Sequence, residues 1–129
     1  MADLEDVRRI ALSLPDTNAD NGFAVRNGNK YRGFAWVWMQ RVEPKKPRVP
    51  CPQVLAIRTE SLEDKEALIA ADPEKFFTEP HYNHFPAVLV RLANIELDEL
   101  EELLIDGWRC QAPKALVKEF DAGRYRGSA

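Results

Sequence analysis

FFTEPHYNHFPAVLVRLANIELDELEELLIDGWRCQAP, residues Phe76 to Pro113, holds a loop, a strand and a helix in under forty residues. Pro80 and Pro86 bound a polar segment that carries both histidines, so Glu79 to Pro86 reads as loop. Ala87 to Ala93 is apolar at nearly every position and reads as a strand. Leu97, Leu100, Leu103, Leu104 and Trp108 then recur at helical spacing and form one apolar stripe. Asp98, Glu99, Glu101 and Glu102 face water near the positive end of that helix. Pro113 restarts a short helix through Phe120.

The chain before this stretch alternates strands with two further helices. Asp3 is a good N-cap, and Leu4, Val7, Ile10, Ala11 and Leu14 make an amphipathic helix ended by Pro15. Asp16 to Gly22 is expected to be loop. Phe23 to Arg26 reads as a short strand, and Asn27-Gly28 marks a hairpin into a long return strand, Lys30 to Val42. Simple alternation places Phe34, Trp36 and Trp38 on one face of it, with Ala35, Val37 and Met39 on the other. Glu43 to Pro52 carries four prolines, which cannot donate to a ladder, so an extended loop is expected there. Val54 to Thr59 is the next strand. Ser61 with Asp64 caps a helix that stops before Pro73, and Pro73 to Phe77 is expected to add one helical turn.

The order α-β-β-β-α-β-α predicts an α+β domain, an antiparallel sheet of about four to six strands covered on one face by helices. The repeated βαβ unit of a doubly wound fold is absent. Along nearly the whole chain, ALSLPDT, FAVRNGNKYRGFAW, LEDKEALIAADPEKFF, the His81-Tyr82-Asn83 loop and DGWRCQAP resemble the YjbR/MmcQ-like family, DUF419. The resemblance implies a frataxin-like "double wing" fold. Through the family's DNA-binding label it also implies a nucleic-acid partner.

At 129 residues one domain is expected, with 122–129 as a flexible tail. No apolar run approaches the ~20 residues of a membrane span. The acidic start (Asp3, Glu5, Asp6) argues against a secretory signal, and Cys51 and Cys110 stand alone in their segments. A reduced, cytoplasmic setting is the expectation. The net charge of −3 hides an asymmetry: Asn21 to Arg58 holds eight basic residues against Glu43, and Ser61 to Ile105 holds three against eleven acids. The first segment can supply a basic face for nucleic acid, while the overall acidity opposes tight non-specific binding.

Catalytic chemistry finds no purchase in these residues. His81 and His84, three apart in a loop beside Glu79, match no strong metal-ligand spacing. There is no P-loop, Rossmann glycine pattern or G-x-S-x-G elbow. The expectation is a protein with no cofactor, no resident metal and no enzymatic activity; the alternative, an unrecognised enzyme, requires His81 or His84 within hydrogen-bond reach of a thiol or carboxylate in a cleft. Its candidate nucleic-acid contacts are Lys30, Arg32, Arg41, Lys45, Lys46 and Arg48, the loop cations being stiffened by prolines. The alternative is a module that binds a protein or small molecule through Trp36, Trp38, Tyr82 and His84 with the Glu79–Phe85 loop. Against both, Trp36 and Trp38 are first expected to be core beneath the helices.

Overall fold

The structure is a computed structural model that describes residues 1–20 and 22–127. A sheet of six strands, in the order β1-β2-β3-β4-β6-β5, is antiparallel at every pairing. The strands are β1 (Thr17–Asn18), β2 (Phe23–Asn27), β3 (Lys30–Gln40), β4 (Val49–Arg58), β5 (Phe76–Phe77) and β6 (Ala87–Arg91). The helices are α1 (Leu4–Leu12), α2 (Leu62–Ala71), α3 (Leu97–Gln111) and α4 (Lys114–Gly127). The α+β class and the helix-covered antiparallel sheet are as expected.

Local chemistry accounts for most boundaries. Asp3 and Asp6 form a reciprocal capping box at the start of α1. Ser61 Oγ accepts from the Asp64 amide at 3.1 Å and caps α2. The β2–β3 hairpin pairs Asn27 with Lys30 around a two-residue loop in which Gly28 takes φ +67. Only a residue free of Cβ adopts that angle cheaply, hence the glycine.

All four helices lie on one face of the sheet. Val7 and Ile10 of α1, Leu68 of α2, Leu100, Leu104 and Trp108 of α3 and Phe120 of α4 enclose Val25, Leu55, Ile57, Val88 and Val90. Trp108 Nε1 donates to the Pro15 carbonyl at 3.0 Å, so the largest core side chain also satisfies its polar atom. At Gly107 the α3 backbone approaches the sheet so closely that a Cβ would meet Phe34 O, Ile57 Cγ2 and Arg58 O, each at 3.2 Å. Leu97, assigned to the stripe, is exposed at the first turn, and Ile105 is buried in its stead.

Several expectations are corrected. Thr17–Asn18 and Phe76–Phe77 are two-residue edge strands, where loop and helical turn were expected; two residues are too few to show a period. A bulge at Phe34, between the pairs Ala24–Gly33 and Phe23–Ala35, breaks the alternation of β3. It sends Phe34 and Ala35 into the helix-side core and turns Trp36 and Trp38 to the opposite face. These tryptophans therefore do not lie beneath the helices. β4 begins at Val49, so Pro50 sits in a strand after all. The expected tail at 122–129 begins inside α4, and residues 128 and 129 lie outside the described residues.

Candidate nucleic-acid interface

The pairing registers isolate part of the sheet. Trp38, Met39 and Gln40 of β3 pair with Cys51, Pro50 and Val49 of β4. β2 pairs with β3 only as far as Ala35, and β6 pairs with β4 only over Val54–Arg58. Among the described residues, Trp38 to Cys51 is thus a two-stranded arm with no neighbouring strand on either side. This explains Pro50: its missing N–H falls where no third strand asks for a donor. Pro52 lies in the register jump between Val37 and Trp38, where the ladder is already interrupted.

Arginines fold the arm, and lysines crown it. Arg41 Nη1 donates to the carbonyls of Pro44 and Lys46 at 3.1 and 3.0 Å, curling the tip around its own guanidinium. Arg48 Nη1 donates across the arm to Met39 O at 3.0 Å. The same atom lies 3.9 Å from Glu79, an ion pair too long for a hydrogen bond. Lys45 and Lys46 are exposed at the tip, Lys46 with Glu43 3.3 Å away in a solvated pair of small energetic weight. The arm carries four cations against Glu43, and Val42 beside them is 68% exposed.

Lys30 and Arg32 do not join this group. They lie exposed at the other end of β3, and eleven steps from Lys30 and nine from Arg32, at about 3.3 Å each, put them roughly 36 and 30 Å along the strand from Arg41. Six candidate cations are therefore four on the arm and two on the β2–β3 hairpin. The charge asymmetry is spatial as well: the eight basic residues of the first segment lie on β2–β4 and the arm, while α2 and α3 carry the densest acids.

The helix-free face of the sheet gathers the aromatic candidates. Trp36, Trp38, Phe77 and Tyr82 pack half-buried around Val54, Ala56 and Leu89. Trp36 Nε1 donates to the Tyr82 hydroxyl at 3.1 Å, and Trp38 meets Phe77 edge-on at 5.7 Å. His84 is exposed on the same loop as Tyr82. Sequence reasoning missed Phe77, Phe85, Arg58 and Arg91. Arg91 stacks over Phe77 at 4.1 Å and Arg58 over Phe85 at 5.1 Å. Their signal was present: each arginine follows a core position (Ile57, Val90) and must point to the other face.

Lys65 was also missed. It is 2% exposed, and its Nζ donates to the carbonyls of Tyr82 and Phe85, the latter at 3.0 Å. Burial pushes its pKa down, with Glu66 opposing. A lysine on the inner side of α2 thus holds the aromatic loop in place.

The mycobacterial proteins Rv2570 of Mycobacterium tuberculosis and Mb2600 of Mycobacterium bovis, both described as uncharacterized, are each 39% identical to this chain over 126 residues. The match covers 93% of this chain and 96% of each relative. The chain belongs to one family with these proteins. No protein-family model matches the sequence. The crystal structure of Deinococcus radiodurans protein DR2400, a DUF419 domain, superposes with a TM-score of 0.60 at 23% identity. It covers 84% of this chain and 77% of that one. The fold is that of DUF419, the YjbR/MmcQ-like group, as the sequence resemblance implied.

Within this DUF419 fold the reactive residues stand apart. Cys51 is half-buried on β4, opposite Trp38, rather than on an exposed loop. Burial pushes the Cys110 thiol up, with Glu60 adding to the shift and Arg58 opposing it, which keeps the thiol protonated near neutrality. His81 and His84 are exposed, and among the described residues no group of three or more His, Cys, Asp or Glu is placed to hold a metal ion. No helix among the described residues is long and apolar enough to cross a membrane.

Proposed function

We propose that this DUF419 protein is a non-catalytic accessory that binds duplex DNA weakly through the β3–β4 arm. The observation that carries the reading is the arm itself, a two-stranded ribbon without flanking strands among the described residues, whose tip bears Lys45 and Lys46 and curls around Arg41, and whose strands are tied together by Arg48. A ribbon of two strands is of a size the major groove admits, and a brace made of hydrogen bonds spares the entropy of ordering a loop on binding. Three or four phosphate contacts give weak, salt-sensitive binding, with log K falling by about 3 per decade of salt. The acidic α2 and α3, on the helix side, turn that side away from the polyanion. A fluorescence-anisotropy titration with duplex and single-stranded DNA at two salt concentrations tests the reading. Salt-sensitive duplex binding at micromolar protein supports it, and no binding at low salt removes it.

A second reading has its own observation. The helix-free face presents Trp36, Trp38, Tyr82 and the 37%-exposed Phe85 with Arg58 among them, a platform for a protein or a planar small molecule. Binding that survives loss of the arm lysines but not Tyr82→Ala would favour it.

A further inference from the structure

The outer edge of β3 stands open from Trp36 to Gln40. β2 leaves it after Ala35, so among the described residues no strand meets the backbone N–H and C=O groups that this stretch turns to that side. Such an edge is a template for another strand, and folded proteins blunt theirs with proline or charge. Two further open stretches are blunted in that way. Pro50 and Pro52 stand on β4 before β6 joins it at Val54, and Lys30 and Arg32 stand on β3 before β4 joins it at Ala35. The stretch Trp36-Val37-Trp38-Met39-Gln40 carries neither device.

A hole and a knob lie beside this edge. The hole is a cavity of about 330 Å³ between α1 and the sheet, lined by Leu4, Glu5 and Arg8, by Ala19, Gly22 and Phe23, and by Val37. Glu5 and Arg8 are exposed, and the remaining side chains of the lining are apolar. The knob is Met39, two residues beyond Val37 on the same side of the strand and 43% exposed.

We propose that β3 pairs antiparallel with β3 of a second copy of this chain, about a two-fold axis at Trp38. That register sets Met39 of each copy opposite Val37 of the other, so each exposed methionine enters the other copy's cavity. An unbranched, flexible thioether suits an irregular apolar site. One patch thus supplies both knob and hole, as the self-complementary interface of a two-fold dimer requires. Beyond Trp36 the same register carries the tip of one copy, four cations against Glu43, toward the start of α1 and the β1–β2 connection of the other. There Asp3, Glu5, Asp6 and Asp20 outnumber Arg8 and Arg9, so the charges are complementary. Duplex DNA would compete with the second copy for that tip. The DNA titration is made at micromolar protein, where the monomer prevails, so the two readings fail separately.

Sedimentation velocity of the full chain from about 5 µM to about 1 mM tests this, weak association being what so short a contact gives. The expected result is monomer at the low end and dimer at the high end, with the dimer weakened at least about threefold in about 0.5 M salt. Met39→Asn should weaken association by about tenfold or more and leave Tm nearly unchanged, since Met39 is exposed in the single chain. Val49→Asn, at a 45%-exposed position on β4, should leave association unchanged. Monomer throughout, a dimer as tight in Met39→Asn as in wild type, a dimer equally weakened in Val49→Asn, or a dimer indifferent to salt would each overturn the proposal.

Discussion

Arg48 reaches across the β3–β4 arm and donates from Nη1 to the Met39 carbonyl at 3.0 Å. The bond joins two strands where, among the described residues, neither has another strand beside it, so it substitutes for part of the missing sheet. Because the group is partly solvated, its net contribution is about 0.6 kcal/mol. Arg48→Ala should therefore speed amide hydrogen exchange in the arm by about threefold and leave the core amides unchanged. Equal protection in the arm of both proteins would show that Arg48 does not brace it.

Trp36 and Tyr82 are joined by one hydrogen bond between β3 and the Glu79–Phe85 loop. Trp36→Phe and Tyr82→Phe each remove it and should cost about 1 kcal/mol, roughly 4 °C in Tm. The double variant should cost little more than either single one. Fully additive losses in thermal unfolding would mean that the two residues act independently.

Gly107 is where α3 sits closest to the sheet. A methyl group there meets two backbone carbonyls and Ile57 Cγ2 at 3.2 Å, and backbone cannot step aside as a flexible side chain can. Alanine gains about 1 kcal/mol of helix propensity, against an overpacking cost of about 1–3 kcal/mol. Gly107→Ala should thus be destabilised by about 1 kcal/mol in urea unfolding. A stabilised variant would show that α3 can shift outward freely.

Lys65 links the aromatic loop to pH. Its folded-state pKa lies below the ordinary 10.5 because burial disfavours the charged form, so the unfolded chain binds the proton more tightly. The sign follows: the cost of burying the charge is present below the lowered pKa and is relieved as pH rises toward 10.5. Urea unfolding across that window should show wild type gaining on Lys65→Met as pH rises. A difference that stays flat would mean that Lys65 keeps its ordinary pKa in the folded chain.

Most of the fold was legible because it is written locally. The capping residues Asp3 and Ser61, the Asn27-Gly28 turn and the α3 stripe each specify an element from neighbours in sequence. What escaped depends on a partner strand. The bulge at Phe34 is set by its pairing against Phe23 and Ala24, and no period within β3 reveals it. Pro50 read as loop because the absence of a third strand beside it is a fact of topology. The candidate site divided along the same line. Lys45 and Lys46 announced themselves by composition, whereas Arg41 and Arg48 proved to be braces as well as cations, and Lys30 and Arg32 fell at the far end of the strand. Lys65 was hidden because a buried lysine looks like any other on a polar helix.

The arm account is tested most directly by the salt dependence of duplex binding, measured for wild type and for Lys45→Ala/Lys46→Ala. These two lysines crown the tip without bracing it, so stability should be unaffected. The account predicts that log K falls with log salt at a slope of about −3 in wild type and about −1 in the variant. Identical slopes in the two proteins, or no duplex binding by wild type at low salt, would contradict it.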